Sequence, residues 1–224
     1  MTERIITLPA QLDEQHAKFD AQSSVSSSGQ KINRGDLLVT PGKSGFTSRQ
    51  YSVFADLKKQ GQITAYTTRL QTGAQIRKRG NNANNVLGEI TGVDPHKFPF
   101  YDTITSDTPA GKPLSTLLAG RGNAVVSQST YNTLHLHIGD RIAVDTAYGS
   151  TALPYTVTGV VPNTAPDPTP NPFANDFVMV DSSTLRSTFT KIDVAAQTVY
   201  VKTSSVAQAA KVKKERANPA SHLL

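Results

Sequence analysis

The sequence predicts an α+β fold that contains an inserted β-rich segment, and three observations support this class. A strand, a helix and a second strand follow one another within residues 36–76. Residues 123–181 hold several short runs of Val, Ile and Thr separated by turn residues, which is typical of strands. Helix-forming segments lie near both ends, over 4–20 and 205–217. The order is therefore a helix, a βαββ unit, a strand-rich middle, and a final strand and helix, and this mixture favours α+β.

The elements of the first hundred residues follow from periodicity and turn chemistry. Apolar side chains recur at steps of three or four across 4–20, which would place them on one face of a helix. Pro9 is compatible with this helix only near its first turn. The Ser-rich stretch 23–30 has no periodicity and is interpreted as a flexible connection. The remaining elements here are strands over 37–40, 62–76 and 86–93, the last two forming a hairpin, and a helix over 49–60 that ends at Gly61.

The second half is predicted to consist mainly of short strands. A short helix is expected over 113–120, within PLSTLLAG. Five of the 13 prolines fall within 162–176, which predicts an irregular loop. Residues 205–217 form helices readily and are basic toward their C-terminal end, as the helix dipole favours. Strands are expected over 123–128, 138–162 (two, around a turn at 148–150), 177–181 and 197–203, with helical turns over 129–136 and 182–189.

The composition excludes several classes of chemistry. The 224 residues include no Cys, which excludes disulfides, thiol catalysis and cysteine-based metal sites. No apolar run approaches the roughly 18–20 residues that cross a bilayer, and no signal peptide is visible. The net charge of +6 is uneven, with 13 basic and 8 acidic residues in 1–100, 6 and 8 in 101–210, and 4 and 1 in 211–224. Because aromatic residues are not interleaved with the basic ones, nucleic-acid binding is less favoured than solvated polar faces or a basic belt near anionic lipid.

No catalytic site is assembled in the sequence, and one pair of histidines is a candidate for metal binding. The GxSxG motif of serine hydrolases is absent. On a strand, His135 and His137 would share a face and could chelate a metal, with Asp140 or Asp145 as a third ligand. The pair straddles an expected helix-to-strand corner, where the two rings would diverge. We therefore predict no metal and no cofactor, with His135 and His137 as the only candidates.

The stretch VLGEITGVDPHKFPFYD, 86–102, is interpreted as a structural joint between two pieces of the fold. Gly92 and Pro95 mark the end of a strand, and Asp94 can accept a hydrogen bond from its own downstream backbone. The three aromatic residues within 98–101 would be costly to expose as a cluster, which favours packing at a junction.

Four motifs in this order resemble the extracytoplasmic domain of FtsX-like ABC transporter permeases, the MacB-like periplasmic core domain. The resemblance covers roughly residues 30–205 and depends on the spacing among the motifs. The motifs are ITGVDP (90–95), AVVSQSTYNTLHLHIGDRIAV (124–144), YTVTGVVP (155–162) and FVMVD (177–181). The matching positions, for which the resemblance implies structural and no catalytic roles, are Gly92, Asp94, Pro95, Gly139, Asp140 and Gly159.

The resemblance also implies a division of the chain. It implies a porter-like βαβ subdomain, an inserted β-rich subdomain that is sabre-like, and stalk helices at both ends. The expected parts are an N-terminal stalk helix and linker over 1–30, the porter-like subdomain over 31–100 plus 191–204, the sabre-like subdomain over 101–190, and a C-terminal stalk helix over 205–224.

The function implied by the resemblance is mechanical. Such a domain would transmit an ATP-driven conformational change across the membrane to move or extrude a lipoprotein, peptide, antibiotic or lipid. ATP hydrolysis is expected in a separate cytoplasmic subunit, so the chain itself is not expected to be an enzyme. The expected partners are that subunit, a second permease protomer in a dimer, and the cell membrane, which the protein would enter through transmembrane helices. This domain is expected on the extracellular or periplasmic side. No nucleic acid is expected as a partner. The alternative is a free-standing secreted module that binds glycans or peptides, against which the absence of Trp weighs.

Overall fold

The computed structural model describes most of the chain between residues 48 and 205 and shorter segments before it. The described residues are 4–7, 18–23, 37–40, 48–80, 84–100, 103–146, 152–163, 175–188, 197–205 and 208. In chain order the elements are β1 (Arg4–Thr7), β2 (Lys18–Ser23), β3 (Leu37–Thr40), α1 (Ser48–Lys59), β4 (Ala65–Lys78), β5 (Asn85–Val93), α2 (Leu114–Leu117), β6 (Asn123–Ser127), α3 (Gln128–Thr133), β7 (Arg141–Thr146), β8 (Leu153–Val161), β9 (Phe177–Asp181), α4 (Ser182–Thr188) and β10 (Gln197–Lys202). None of the described helices has the length and apolar character needed to span a bilayer.

The chain divides into two compact units at positions other than those predicted. One unit is drawn from Met1–Thr68 and Asp193–Leu224, and the other is Arg69–Ile192. The resemblance implies a boundary between the porter-like and sabre-like subdomains after residue 100. The structure places it earlier because β4 pairs with β7 and β5 pairs with β9, which assigns residues 69–100 to the second unit.

The first unit contains an antiparallel sheet of four strands. The order is β1-β2-β3-β10, so that β10, near the end of the chain, lies beside β3. Leu38 is opposite Tyr200 in this pairing. Leu37, Val39 and Val199 are buried. The short strand LLVT and the late strand predicted over 197–203 are therefore both confirmed.

Helix α1 follows its predicted bounds closely. Phe54 and Leu57 are buried, and the ring of Phe54 lies 5.7 Å from that of Tyr66 between centroids. Gly61 has a φ of +68° and donates its N–H to the carbonyl of Lys58 at 3.1 Å. A left-handed glycine after the last turn is a common helix end, and the predicted stop at Gly61 is confirmed.

The predicted N-terminal helix over 4–20 is wrong where the structure describes it. Residues 4–7 form β1 and residues 18–23 form β2, and the two strands pair with Ile5 opposite Asp20. The consecutive β-branched residues Ile5, Ile6 and Thr7 favour an extended backbone, and Pro9 lacks the N–H that a helix interior needs. An N-terminal stalk helix within 1–30 is therefore not supported. Apart from Ser205 and Gln208, the predicted C-terminal stalk helix over 205–224 lies outside the described residues.

Six strands of the second unit form a sheet that closes on itself. Their order is β4-β5-β9-β6-β8-β7, and β7 pairs again with β4. The β5–β9 and β6–β8 pairings are parallel, and the other four are antiparallel. The predicted hairpin within 62–93 is confirmed, with Gln75 opposite Leu87, and β7 and β8 form the second predicted hairpin.

Alternate side chains of the closed sheet fill its interior. On β4 the even-numbered Leu70, Ala74 and Ile76 point into the apolar cluster, as the period of two requires. Leu185 of α4 belongs to the same cluster. The other buried members are Val86, Ile90, Ala124, Val126, Leu134, Leu136, Ile142, Val144, Tyr155, Val157, Val160, Val178 and Val180.

Strands β6 and β9 are buried on both faces. Val125 and Met179, which are paired and lie on the face opposite to the interior, are fully buried. The cover on this face includes the short helix α2, which contacts β6 and whose Leu117 lies against Gly159, the partner of Val125. Burial on both faces explains why NAVVS and FVMVD read as nearly continuous apolar runs.

Candidate functional site

Asp140 joins the turn after α3 to strand β4. Its Oδ2 accepts a hydrogen bond from Nζ of Lys78 at 2.6 Å and another from the backbone N–H of His137 at 2.8 Å. Lys78 Nζ also donates to the carbonyl of His135 at 3.3 Å. One carboxylate therefore fixes the turn 135–140 to a strand that is about 60 residues away in sequence.

Backbone hydrogen bonds fix the same turn to β8. The N–H of Gly139 donates to the carbonyl of Val157 at 2.8 Å, and the N–H of Val157 donates to the carbonyl of Asp140 at 2.9 Å. Gly139 has a φ of +94°, a conformation that favours glycine over residues with a Cβ. The local structure thus explains why position 139 is glycine and position 140 is aspartate.

The environment of Asp140 lowers the pKa of its carboxyl. The hydrogen bond from Lys78 is the largest cause, burial acts in the opposite direction, and the N–H of His137 adds to the lowering, so that the pKa lies below its ordinary value of 3.8. The side chains of Lys78 and Asp140 are 29% and 26% exposed. Water therefore screens the two charges in part. We expect the ion pair to contribute on the order of 1 kcal/mol to the free energy of unfolding.

The two candidate metal ligands lie in this turn and not on a strand. His135 has a φ of +48°, and the His137 side chain is 79% exposed, with Nδ1 3.5 Å from Oδ2 of Asp140. The two histidines therefore lack the strand geometry that would place their side chains on one face. In the part of the chain that the structure describes, no group of three or more His, Asp or Glu side chains is arranged to hold a metal ion.

Asp94 organises the backbone where β5 ends. Its Oδ1 accepts from the N–H of His96 at 3.1 Å, and its Oδ2 accepts from Nζ of Lys97 at 2.7 Å. The Asp94 carbonyl accepts from the N–H groups of Lys97 and Phe98 at 3.0 and 2.9 Å. The predicted Asx-type turn is therefore confirmed. Burial raises the pKa of Asp94, but the bonds from Lys97 and His96 outweigh it, and the net pKa is lowered.

The loop after Asp94 packs onto the second unit. Pro95 and Phe98 are buried, and Phe100 is half-buried. Tyr101 lies outside the described residues. This segment belongs to Arg69–Ile192, so the division of the chain falls elsewhere than at this loop.

Glycines of β5 and β8 allow other segments to approach the sheet closely. A Cβ at Gly92 would lie 2.8 Å from Cδ2 of Leu185 and 3.2 Å from Cα of Ser182, both in α4. A Cβ at Gly159 would lie 2.8 Å from Cδ1 of Leu117 in α2. These distances are shorter than ordinary carbon–carbon contacts, so both helices lie where only glycine leaves room. Gly88 was not among the predicted positions, and a Cβ there would collide with the carbonyl oxygen of Asp176.

The two ends of the Pro-rich segment are held at the start of α3. Asn163 accepts from the N–H of Ser129 at 3.0 Å, and Asp176 accepts from the hydroxyl of Thr130 at 3.2 Å. Ser127 caps α3 by accepting from the N–H of Thr130 at 3.1 Å, and it also accepts from the N–H of Phe177 at 3.3 Å. Ser127 and Thr130 are fully buried. Asn163 and Asp176, which lie on either side of the Pro-rich segment, are therefore both hydrogen-bonded to the same short helix.

Helix α3 and its cap lie slightly before the helical turn predicted from residue 129. Ser127 is not recognisable as a cap in the sequence, because it ends the apolar run NAVVS, which is typical of a strand. The signal that could have found it is the spacing of Ser127 and Thr130, since a cap side chain reaches the N–H three residues ahead.

A polar cluster is buried on the outer face of β4 and β5. Arg69 and Glu89 are 3% and 4% exposed, and Thr91 is fully buried. Arg69 donates to Gln71, and Gln71 donates to Glu89. Thr91 donates to Glu89 at 3.2 Å. Because all four side chains exchange hydrogen bonds, the cluster is explained as buried structural support and indicates no reactive centre.

Taken together, the described motif residues bind backbone, cap turns or leave room for packing. None of these described groups combines a nucleophile with a base. The described motif residues thus have structural roles in turns, pairing and packing.

The chain belongs to the family of MacB-like periplasmic core domains, which it matches over residues 19–217. The resemblance to extracytoplasmic domains of ABC transporter permeases is thereby confirmed. No curated protein matches the chain in sequence.

Two solved structures are similar in fold. The extracellular domain of the noncanonic ABC-type transporter YknZ from Gram-positive bacteria superposes with a TM-score of 0.54 at 15% identity, covering 77% of this chain and 81% of that one. The periplasmic region of MacB from Actinobacillus actinomycetemcomitans gives a TM-score of 0.50 at 14% identity, covering 74% and 71%. At these identities the likeness concerns the fold alone.

Proposed function

We propose that this domain transmits an ATP-driven conformational change in an ABC transporter permease of the MacB/FtsX type, so that a substrate is moved or extruded. The observation that carries the proposal is the family match over 19–217, since this family supplies the extracytoplasmic part of such permeases. The structure supports it because the second unit combines a closed sheet with helices that pack against glycines, which makes a stiff body.

The subdomain roles belong to the same proposal. The unit drawn from Met1–Thr68 and Asp193–Leu224 would be the porter-like subdomain, and Arg69–Ile192 would be the sabre-like one. The partners would be a cytoplasmic ATP-binding subunit and a second permease protomer. The domain would be anchored through transmembrane helices and would face the extracellular or periplasmic side.

A first test concerns the reading frame in which the 224 residues occur. Apolar segments of about 20 residues should flank the domain, because it would be inserted between membrane-spanning helices. A gene for an ATP-binding subunit should lie beside it. A frame without any such apolar segment would contradict the proposal.

A second test measures movement in the intact transporter. The chain has no Cys, so a cysteine introduced at the exposed Lys112 would carry a spin label at one position of each protomer. The distance between the two protomers' labels should change when ATP binds to the partner subunit. As a control, labels at the exposed Asn85 and at Lys112 in the isolated chain should give one distance with and without ATP, because both lie in the second unit. An unchanged distance between protomers across the nucleotide cycle would contradict the mechanical role.

A further inference from the structure

The outer face of the closed sheet is buried at the start of β4 and becomes exposed to solvent toward its end. At its start the odd-numbered Arg69 is buried, whereas Arg77 is about one-third exposed and Arg79, just beyond the strand, is exposed. Interior residues of β4 and β7 are even-numbered, so Arg77 and Ala143, which are paired, lie on the outer face. Part of this face is therefore open to solvent and basic.

Neighbouring strands add to the same face. Arg141, at the start of β7, is exposed, and its carbonyl accepts from the N–H of Arg79 at 2.8 Å. Ala143 is paired with Pro154 of β8 on its other side. Three arginines, Arg77, Arg79 and Arg141, thus lie on adjacent rows around a small apolar floor.

This arrangement forms a cleft of about 260 Å³. Its lining residues are Arg77, Arg79, Gly80, Ala143, Ala152 and Pro154. Two of the lining side chains, those of Ala143 and Ala152, are small, which leaves room in the cleft beside the arginines. A guanidinium presents several N–H donors in a plane, which matches the oxygens of a phosphate group.

The charge on this face is only partly compensated. Arg77 Nη1 lies 2.9 Å from Oδ2 of Asp145, with both side chains about one-third exposed. Among the residues that the structure describes, this is the one ion pair made by the three arginines. Within the cleft, the charge of Arg79 therefore remains for a ligand, and Asp145 holds Arg77 at the edge of the cleft.

We propose that this cleft binds a phosphate group, whether free or carried by a lipid headgroup, between Arg77 and Arg79. The inference rests on the geometry of the second unit and not on the transport role, so either can fail without the other. Arg79 would supply the principal contact, because its guanidinium is exposed at the cleft, and Arg77 would supply a second one.

The experiment uses the full 224-residue chain and inorganic phosphate as the probe. Binding would be followed by ³¹P NMR line broadening or calorimetry at low ionic strength, where screening is weakest. We expect saturable binding that weakens about tenfold or more in R79Q, because one charge-assisted contact is lost. R79K keeps the charge but loses the planar donors, and it should bind more weakly than the unchanged chain.

The matched control is K112Q, which removes the same charge elsewhere in the second unit. Lys112 is exposed and accepts a hydrogen bond at its carbonyl from Ser106, in the segment where Thr108 bridges Val160. Pro154 lies six residues earlier on β8, so this segment is roughly 20 Å from the cleft along that strand. K112Q should bind phosphate as the unchanged chain does, and thermal unfolding would confirm that each variant is folded.

Vesicles distinguish the source of the phosphate group. If phosphatidylcholine vesicles containing phosphatidylglycerol bind the chain, and R79Q abolishes this while K112Q does not, the group is a lipid headgroup. If inorganic phosphate binds through Arg79 and the vesicles do not, the ligand is a free phosphate compound. Equal phosphate binding by R79Q and K112Q, or no saturable binding to either probe, would overturn the proposal.

Discussion

Lys78 and Asp140, 62 residues apart in sequence, are joined by a 2.6 Å bond from Nζ to Oδ2. The same oxygen accepts the N–H of His137, so that the side-chain pair and the turn depend on each other. The bond links β4 to the segment just before β7. The pairing of β4 with β7 is the one that closes the sheet.

We expect D140N to lower the free energy of unfolding of the second unit by about 1–2 kcal/mol. Asparagine keeps the shape but loses the charge that Lys78 binds. The measurement is urea unfolding near neutral pH. The control is D107N, which removes an exposed carboxylate that forms no ion pair with the described residues.

The effect of D140N should depend on pH with a definite sign. The pKa of Asp140 is lowered below its ordinary value of 3.8, so its contribution is fully present above that value and is lost as the pH falls through the folded-state pKa. The difference between the two chains should be constant between about pH 5 and 7 and should shrink below about pH 4. A difference that grows on acidification would contradict this account.

Alanine substitutions at three glycines should rank by what the new Cβ meets. G73A should be neutral or slightly stabilising, because nothing lies within 4 Å of that Cβ. G92A should cost about 1–3 kcal/mol through contact with Leu185, and L185A in the same chain should relieve part of that cost. G88A should cost most, because the backbone carbonyl of Asp176 lies in the way. Urea unfolding checks the ranking, and equal effects at Gly73 and Gly88 would contradict it.

Replacing Ser127 by alanine should loosen both the start of α3 and the start of β9. The change removes the cap on the N–H of Thr130 and the acceptor for the N–H of Phe177, at a cost of about 1–3 kcal/mol. Hydrogen exchange at these two amides should accelerate more than at other core amides. S129A is the control, because Ser129 contributes its backbone N–H, which alanine retains. Unchanged exchange at Phe177 would exclude the proposed link.

Substitutions at Asp94 and Lys97 separate a backbone contact from an ion pair. D94A should cost about 1–2 kcal/mol, because the N–H of His96 loses its acceptor. K97A should cost at most about 0.5 kcal/mol, because the Lys97 side chain is 61% exposed and water screens its charge. The comparison uses urea unfolding of both variants. A larger loss in K97A would mean that the ion pair, and not the turn, stabilises this loop.

Tyr155 provides a test at alkaline pH. Burial raises the pKa of its hydroxyl to about 12, above its ordinary value of 10.0. Since the neutral form is favoured in the folded state, the stability it contributes is full below pH 10.0 and is lost as the pH rises toward about 12. Y155F should therefore resist alkaline unfolding better than the unchanged chain. The measurement is circular dichroism across this range, and identical midpoints would contradict the prediction.

Local signals in the sequence predicted much of the fold. Turn residues and helix periodicity located α1 with its end at Gly61, and alternation located β5, β7 and β8. The turn at Asp94 was predictable because an aspartate needs only its own downstream backbone to form it.

Features of the fold that depend on residues distant in sequence could not be predicted in this way. Closure of the sheet requires β4 to pair with β7 across more than 60 residues, which no local pattern encodes. The same pairing moved the division of the chain to Thr68 and Arg69. Gly88 and Lys78 belong to this group too, since their roles arise from Asp176 and Asp140 in other elements. The helix predicted over 4–20 was wrong for another reason. The spacing of its apolar residues fitted a helix, whereas its β-branched residues favoured strands.

The closed sheet has a mechanical consequence for the second unit. A strand at an open edge can be peeled away one hydrogen bond at a time, starting from its free side. Each of the six strands from β4 to β9 is paired on both sides, so pulling on any one of them must break two ladders together. Force applied to this unit would therefore turn or displace it as a whole before it unzips, and a neighbouring chain finds no open seam among these strands at which to add its own.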